Sequence, residues 1–129
     1  MRTRFAALIL VQAAHSVEEC VGRLWESFPP AYFLSGLISE DRAWNFAAMN
    51  ALLVAFGVWC FLWPVRREWP SAVHIGWFWV TIEIINGIAH SVWAVHEGGY
   101  IPGVATAPVL LALALYLAYQ LRNDPHRSK

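Results

Sequence analysis

Charge is scarce in this chain, and so is cysteine. Charged residues make up 14% of its 129 positions and sum to a net of zero. There is no basic field to draw nucleic acid, and that class of partner is excluded. The two cysteines, Cys20 and Cys60, stand in separate apolar segments with no CxxC pattern, so neither a thiolate metal site nor a disulfide is expected. No internal repeat is present, and no low-complexity stretch beyond the short polar C-terminus. No small-x-small cleavage site follows the apolar run after Arg4, so the N-terminus reads as a first membrane-entering segment rather than a signal peptide.

What the chain has is hydrophobicity: 58% of its residues are hydrophobic, with eight Trp and four Tyr, too apolar for an ordinary soluble domain. Four segments, approximately 4–25, 43–63, 72–96 and 103–121, are long enough to cross about 30 Å of hydrocarbon at about 1.5 Å per residue. The stretch Ser27-Phe28-Pro29-Pro30 to Leu34 is too short to span and reads as an interfacial or re-entrant piece with its aromatics at headgroup depth. The expected fold is all-α: a four-helix transmembrane bundle forming one domain over 1–129. Arg2, Arg4, Arg66, Arg67, Arg122, Arg127 and Lys129 fall on one side, against Arg42 and Arg23 on the other. The positive-inside rule then places both termini in the cytoplasm; the expected location is the cytoplasmic (inner) membrane of a prokaryote.

Within these segments lie polar residues that hydrocarbon disfavours by about 2.5–3.5 kcal/mol per charge on insertion scales. Span one carries His15, Glu18 and Glu19, and span three carries Glu83, Asn86 and His90. Given the orientation, these groups and Asn50 of span two come to one level in the outer half of the bilayer. His15 is one helical turn from both glutamates, so all three can converge. Gly76, Gly87 and Ala94 share the polar face of span three and would let a neighbouring helix come close, so spans one and three are expected to meet there.

Two imidazoles and three carboxylates suit a divalent metal such as zinc or iron. His15, Glu19, Glu83 and His90 are the expected ligands, with Glu18 as a further ligand or general base and Asn86 orienting a ligand or the substrate. Di-metal carboxylate bundles project Glu-x-x-His pairs inward; here the order is reversed and one glutamate is missing. A metal-free site is the alternative. Carboxyls in apolar surroundings favour their neutral form, so Glu18 or Glu19 could protonate an alkene while Glu83 or His90 removes a proton. Trp25, Trp44, Trp59, Trp77, Trp79 and Trp93 could line such a pocket and stabilise a carbocation. In this respect the chain loosely resembles sterol isomerases of the emopamil-binding type, without a shared motif. In either version Asn45, Asn50, Trp93 and Tyr100 are candidate contacts to a lipid or isoprenoid-like substrate. A proton or cation pathway is the third reading, for which so short a chain could act as a homo-oligomer. The plainest reading is that the polar groups merely join the helices, though five ionisable groups exceed what such joining needs.

The ordered set His15-x-x-Glu18-Glu19, Asn86-x-x-x-His90 and Tyr100-Ile101-Pro102-Gly103 resembles the HXXEE family of small membrane proteins over most of the chain. The resemblance implies a membrane location and a site at His15, Glu18, Glu19, Asn86 and His90, but no reaction. Glu18-Glu19-x-x-x-Arg23 is also similar to a string in the prenyl-protein peptidase and bacteriocin-immunity family of intramembrane proteases. Asn86 stands where that family has Phe, and its third histidine motif is not evident.

Overall fold

The computed structural model describes residues 1–123, so His126, Arg127 and Lys129 lie outside the described residues. The elements are α1 (Arg2–Val21), α2 (Leu24–Ser27), α3 (Pro29–Ser35), α4 (Arg42–Cys60) continuing into a π turn (Phe61–Val65), α5 (Ala72–Glu97) and α6 (Ala107–Arg122). No strand occurs among the described residues. Two stretches, Arg42–Val65 and Ala72–Glu97, are long and apolar enough to cross a membrane.

Local chemistry sets the boundaries. α1 stops at Val21 rather than near residue 25, because Arg23 turns left-handed at φ 57° and the helix restarts as α2. α3 opens on prolines, which have no backbone N–H to leave unpaired in a first turn. The Asp41 carboxylate caps α4 by accepting from the Trp44 N–H at 3.0 Å. Pro64 lacks the donor a regular α turn needs, and the chain widens there, with the Arg66 N–H donating to the Phe61 carbonyl at 2.9 Å. Gly98, at φ 70°, ends α5. The fourth apolar segment becomes helical at Ala107, not at 103, because Pro102-Gly103 forms a turn first. Its 16 residues extend about 24 Å.

The four longest helices alternate in direction. One end of the molecule is marked by the Arg2–Glu68 ion pair at 2.6 Å, the other by contacts from Glu18 to the loop before α6. α5 packs most extensively on α6, while α1 packs on α4 and α6. This corrects the expectation for the small-residue face of span three, which receives α6 rather than α1. A Cβ at Gly87 would meet Leu111 Cβ at 2.8 Å and the Ala107 carbonyl at 3.1 Å, so glycine is what lets these two backbones approach. α1 instead reaches α5 through long side chains, as where Phe5 meets the edge of Trp79 at 6.3 Å.

An apolar core of Phe5, Leu8, Ile9, Trp79, Leu110, Leu117 and Leu121 fills the half of the bundle nearer the N-terminus. A smaller cluster of Leu24, Trp25, Ala31 and Phe46 closes the opposite end. Between them lies a buried polar layer of Gln12, His15, Ser16, Glu19, Glu83 and His90. The outer surface has the reverse character: Leu10 is 72% exposed and Val95 82%, with Val17, Val21, Leu52, Ile85 and Val92 also turned outward.

Candidate metal centre

His15, Glu19 and His90 are buried, and each offers a ligating atom within 4.8 Å of the others. α1 supplies His15 and Glu19 one turn apart, and α5 supplies His90 from across the bundle. Glu19 Oε1 lies 3.2 Å from His15 Nε2 and 2.8 Å from His90 Nε2. The two imidazoles meet edge to face at 4.7 Å. Gly103, at φ 94°, closes over them, and a Cβ there would fall 2.5 Å from His90 Cε1 and 2.8 Å from His15 Cε1. This group could hold a metal ion.

Glu18 points elsewhere. Its carboxylate accepts from the Ala105 N–H at 3.1 Å, the Thr106 N–H at 3.1 Å, the Thr106 hydroxyl at 2.6 Å and the Tyr100 hydroxyl at 2.8 Å. It therefore holds the loop that leads into α6, where negative charge also suits the helix N-terminus. The Tyr100 phenol is raised above its ordinary value, first by the hydrogen bond it donates to Glu18, then by partial burial and the negative charge beside it.

Through Thr106, Glu18 also acts on His15. Thr106 Oγ1 is 2.6 Å from Glu18 Oε2 and 2.6 Å from His15 Nδ1. A hydroxyl has one proton. Glu18, already accepting from two backbone N–H groups and a phenol, takes that proton's bond as well. His15 Nδ1 must then carry hydrogen and donate to Oγ1, which fixes the tautomer and leaves Nε2 of a neutral ring as a bare lone pair. Nε2 is buried, and no hydrogen bond reaches it. It faces Glu19 Oε1, another acceptor. With the ring neutral, two electron-rich atoms would stand 3.2 Å apart, a contact that a second ring proton or a metal ion would relieve.

The other sequence-derived candidates divide. Glu83 is fully buried but is not one of the three grouped ligands. It sits seven residues before His90 on α5, about 10 Å down the helix. There the Gln12 amide, in the orientation that satisfies its neighbours, donates to both Glu83 oxygens at 3.1 and 3.0 Å and accepts from Ser16. Asn86 and Asn50 line a crevice that leads to Glu19. The Asn50 amide donates to the Phe46 carbonyl at 3.3 Å. Asn45 lies apart from the site: its amide donates to the Ser35 and Ser39 carbonyls at 2.8 and 2.9 Å and ties α3 to α4. Trp93 donates to the Ser27 carbonyl at 3.1 Å and packs on Phe28, whose ring covers His90 at 5.8 Å. Phe46 is the aromatic among the residues that line the crevice, and the tryptophans are not among them. Arg23 pairs with Glu26 at 2.6 Å on the surface. Cys20 and Cys60 are free thiols.

Neither Thr106 nor Gln12 is assigned a role from the sequence; Gly103 stands out there only in the Tyr-x-Pro-Gly turn, and Phe28 only as an interfacial aromatic. A signal existed for Thr106: Thr-Ala-Pro is a recognisable helix start, with threonine at the cap and proline in the first turn.

The fold and site thus define an all-helical protein with an apolar exterior and a buried His/Glu cluster. A model of the family described as "Protein of unknown function with HXXEE motif" matches residues 6–117, and the chain belongs to that family. No curated protein and no solved structure matches it. In this chain the first and last letters of the motif, His15 and Glu19, point into the cluster, while the middle one, Glu18, holds His15 in place through Thr106.

Proposed function

We propose that this chain is an integral membrane enzyme that uses a divalent metal, zinc or iron, to act on a lipid or isoprenoid-like substrate. The observation that carries the reading is the bare Nε2 of His15 facing Glu19 beside a second imidazole. Two histidines and one glutamate are the donor set of three-ligand catalytic zinc sites, which leave a position open for water or substrate. A ligand histidine held from behind by a carboxylate is also how such sites fix ring orientation; here Thr106 relays the contact. A metal bound by His15, Glu19 and His90 would supply Lewis acidity and an activated water. Around it, Glu18 and Thr106 orient His15, Phe28 and Gly103 exclude water from the loop side, and Asn86 and Asn50 offer hydrogen bonds to a substrate. Glu83, held by Gln12, is a proton-accepting group below the ligands.

The membrane setting rests on the surface. A soluble protein rarely turns so many Leu, Val and Ile outward around a polar interior, whereas hydrocarbon solvent favours that inversion. With α1 and α6 packed between the two long apolar helices, all four would cross, both termini inside.

A metal-free acid–base site is the second reading, because a proton on His15 Nε2 would also separate it from Glu19. No regular hydrogen bond joins the ring nitrogen to that oxygen, although they are 3.2 Å apart, which supports a metal. Transport is less well supported, since among the described residues Phe5, Leu8, Ile9, Trp79 and Leu117 form a packed apolar layer toward the terminal end.

Protein purified in detergent is expected to bind zinc or ferrous iron stoichiometrically by elemental analysis. His15→Ala, Glu19→Gln and His90→Ala should each lose it while keeping helical circular dichroism. A parent protein that takes up neither metal refutes the metal reading. The metal-free reading would then predict deuterium incorporation into product in heavy water.

A further inference from the structure

We propose that the crevice between α4 and α5 is a side entrance that takes a single-chained lipid with an uncharged hydrogen-bonding head. The inference deepens the enzyme reading above and rests on it for the direction in which the chain enters.

α4 and α5 touch at one end, where Phe56 packs on Trp79 and Phe78 with ring centres 6.0 Å apart in both pairs. Above that contact they separate, leaving a cavity of about 460 Å³, within the range of small-ligand sites. Its walls are apolar: Met49 and Leu53 from α4, Ile82 and Ile85 from α5, with Leu34 and Phe46 toward the cap. Its inner side is polar: Gln12, Glu19, Asn50 and Asn86. The crevice is bounded below by the aromatic contact and opens sideways beside Ile85, which is 63% exposed.

An amphiphile complements such a space. Water would leave the walls unsatisfied, and a wholly apolar molecule would leave the remaining hydrogen-bonding capacity of the Asn50 amide, which makes one bond within the protein, facing hydrocarbon. Ile85, which lines the crevice, is itself one of the outward apolar side chains, so a molecule dissolved in hydrocarbon would reach it without crossing water. The head is uncharged because no Arg or Lys lines the crevice; a phosphate or diphosphate would face the Glu19 carboxylate with no guanidinium or ammonium beside it. The chemistry fits a long-chain or isoprenoid alcohol, aldehyde, ester or amide. Glu19, which touches both imidazoles and also lines the crevice, is where the head would meet the cluster.

The test uses the full chain in nanodiscs with a photoreactive long-chain alcohol and its phosphate monoester as probes, the adducts mapped by mass spectrometry. The alcohol should label Met49, Leu53, Ile82 or Ile85 in preference to the outward Leu52 and Val95. Ile85→Trp, placed at the exposed mouth where the fold is not at stake, should weaken labelling about tenfold, equivalent to about 1.4 kcal/mol, with metal content unchanged. Labelling concentrated at Leu52 and Val95, a preference for the phosphate probe, or crosslinks joining two copies through this face would each overturn the proposal. Loss of metal with the labelling pattern intact would sink the metal reading alone, and loss of the pattern with metal retained would sink the entrance alone.

Discussion

Replacing Thr106 by valine removes one oxygen and keeps the shape, which isolates the relay between Glu18 and His15. That oxygen donates to Glu18 Oε2 at 2.6 Å and accepts from His15 Nδ1 at 2.6 Å. Valine leaves a ring N–H next to methyl groups in a fully buried histidine, and an unsatisfied buried donor costs about 1–3 kcal/mol. His15 can relieve this by moving its proton to Nε2, the atom the metal needs, or by rotating. Either response weakens the metal site. Loss of such a supporting contact typically costs about 10–100-fold in affinity, which is about 1.4–2.7 kcal/mol. Zinc affinity would be read by competition with a chelating dye in nanodiscs, alongside thermal unfolding of the metal-free protein. Thr106→Ser restores the hydroxyl and should recover most of the affinity, separating the relay from general damage to the loop. If valine binds zinc as tightly as the parent, or serine fails to rescue, the tautomer reasoning is wrong.

Gly103→Ala should abolish metal uptake, because its Cβ would fall within 2.8 Å of both imidazoles and φ 94° strains any side chain; elemental analysis of folded protein checks it, and normal metal content would count against the ring packing described. Gly87→Ala should destabilise by about 1–3 kcal/mol in denaturant titrations in micelles. Gly76→Ala should cost less, since its nearest obstacle is the flexible end of Leu121 at 2.9 Å rather than Leu111 Cβ and a backbone carbonyl. The raised Tyr100 phenol adds stability that is fully present below its unfolded-state pKa and is lost as pH rises through the higher folded value. Tyr100→Phe should therefore remove one alkaline step from the pH profile of unfolding, and an unchanged profile would refute that assignment.

Sequence alone determined that the chain is helical and apolar outside, and that polar groups on separate segments lie at matching levels. Those properties follow from periodicity, segment length and the cost of ionisable groups in hydrocarbon, all local or additive along the chain. The pairing of His15 and Glu19 with His90 was legible for the same reason: turn spacing fixes the first two, and level fixes the third. Which glutamate of Glu18-Glu19 turns inward was not legible. Adjacent residues point about 100° apart, and only the positions of α5 and α6 decide which of the two faces the cluster. The glycines of α5 announced a close approach but could not name the partner, because a small-residue face accepts any helix that fits, and the tight turn at Gly98 to Thr106 gives that place to α6. Thr106 matters only because that same turn brings it 91 positions back along the chain to His15. Tertiary structure alone sets such contacts, since nothing in the local spacing of either residue encodes the other.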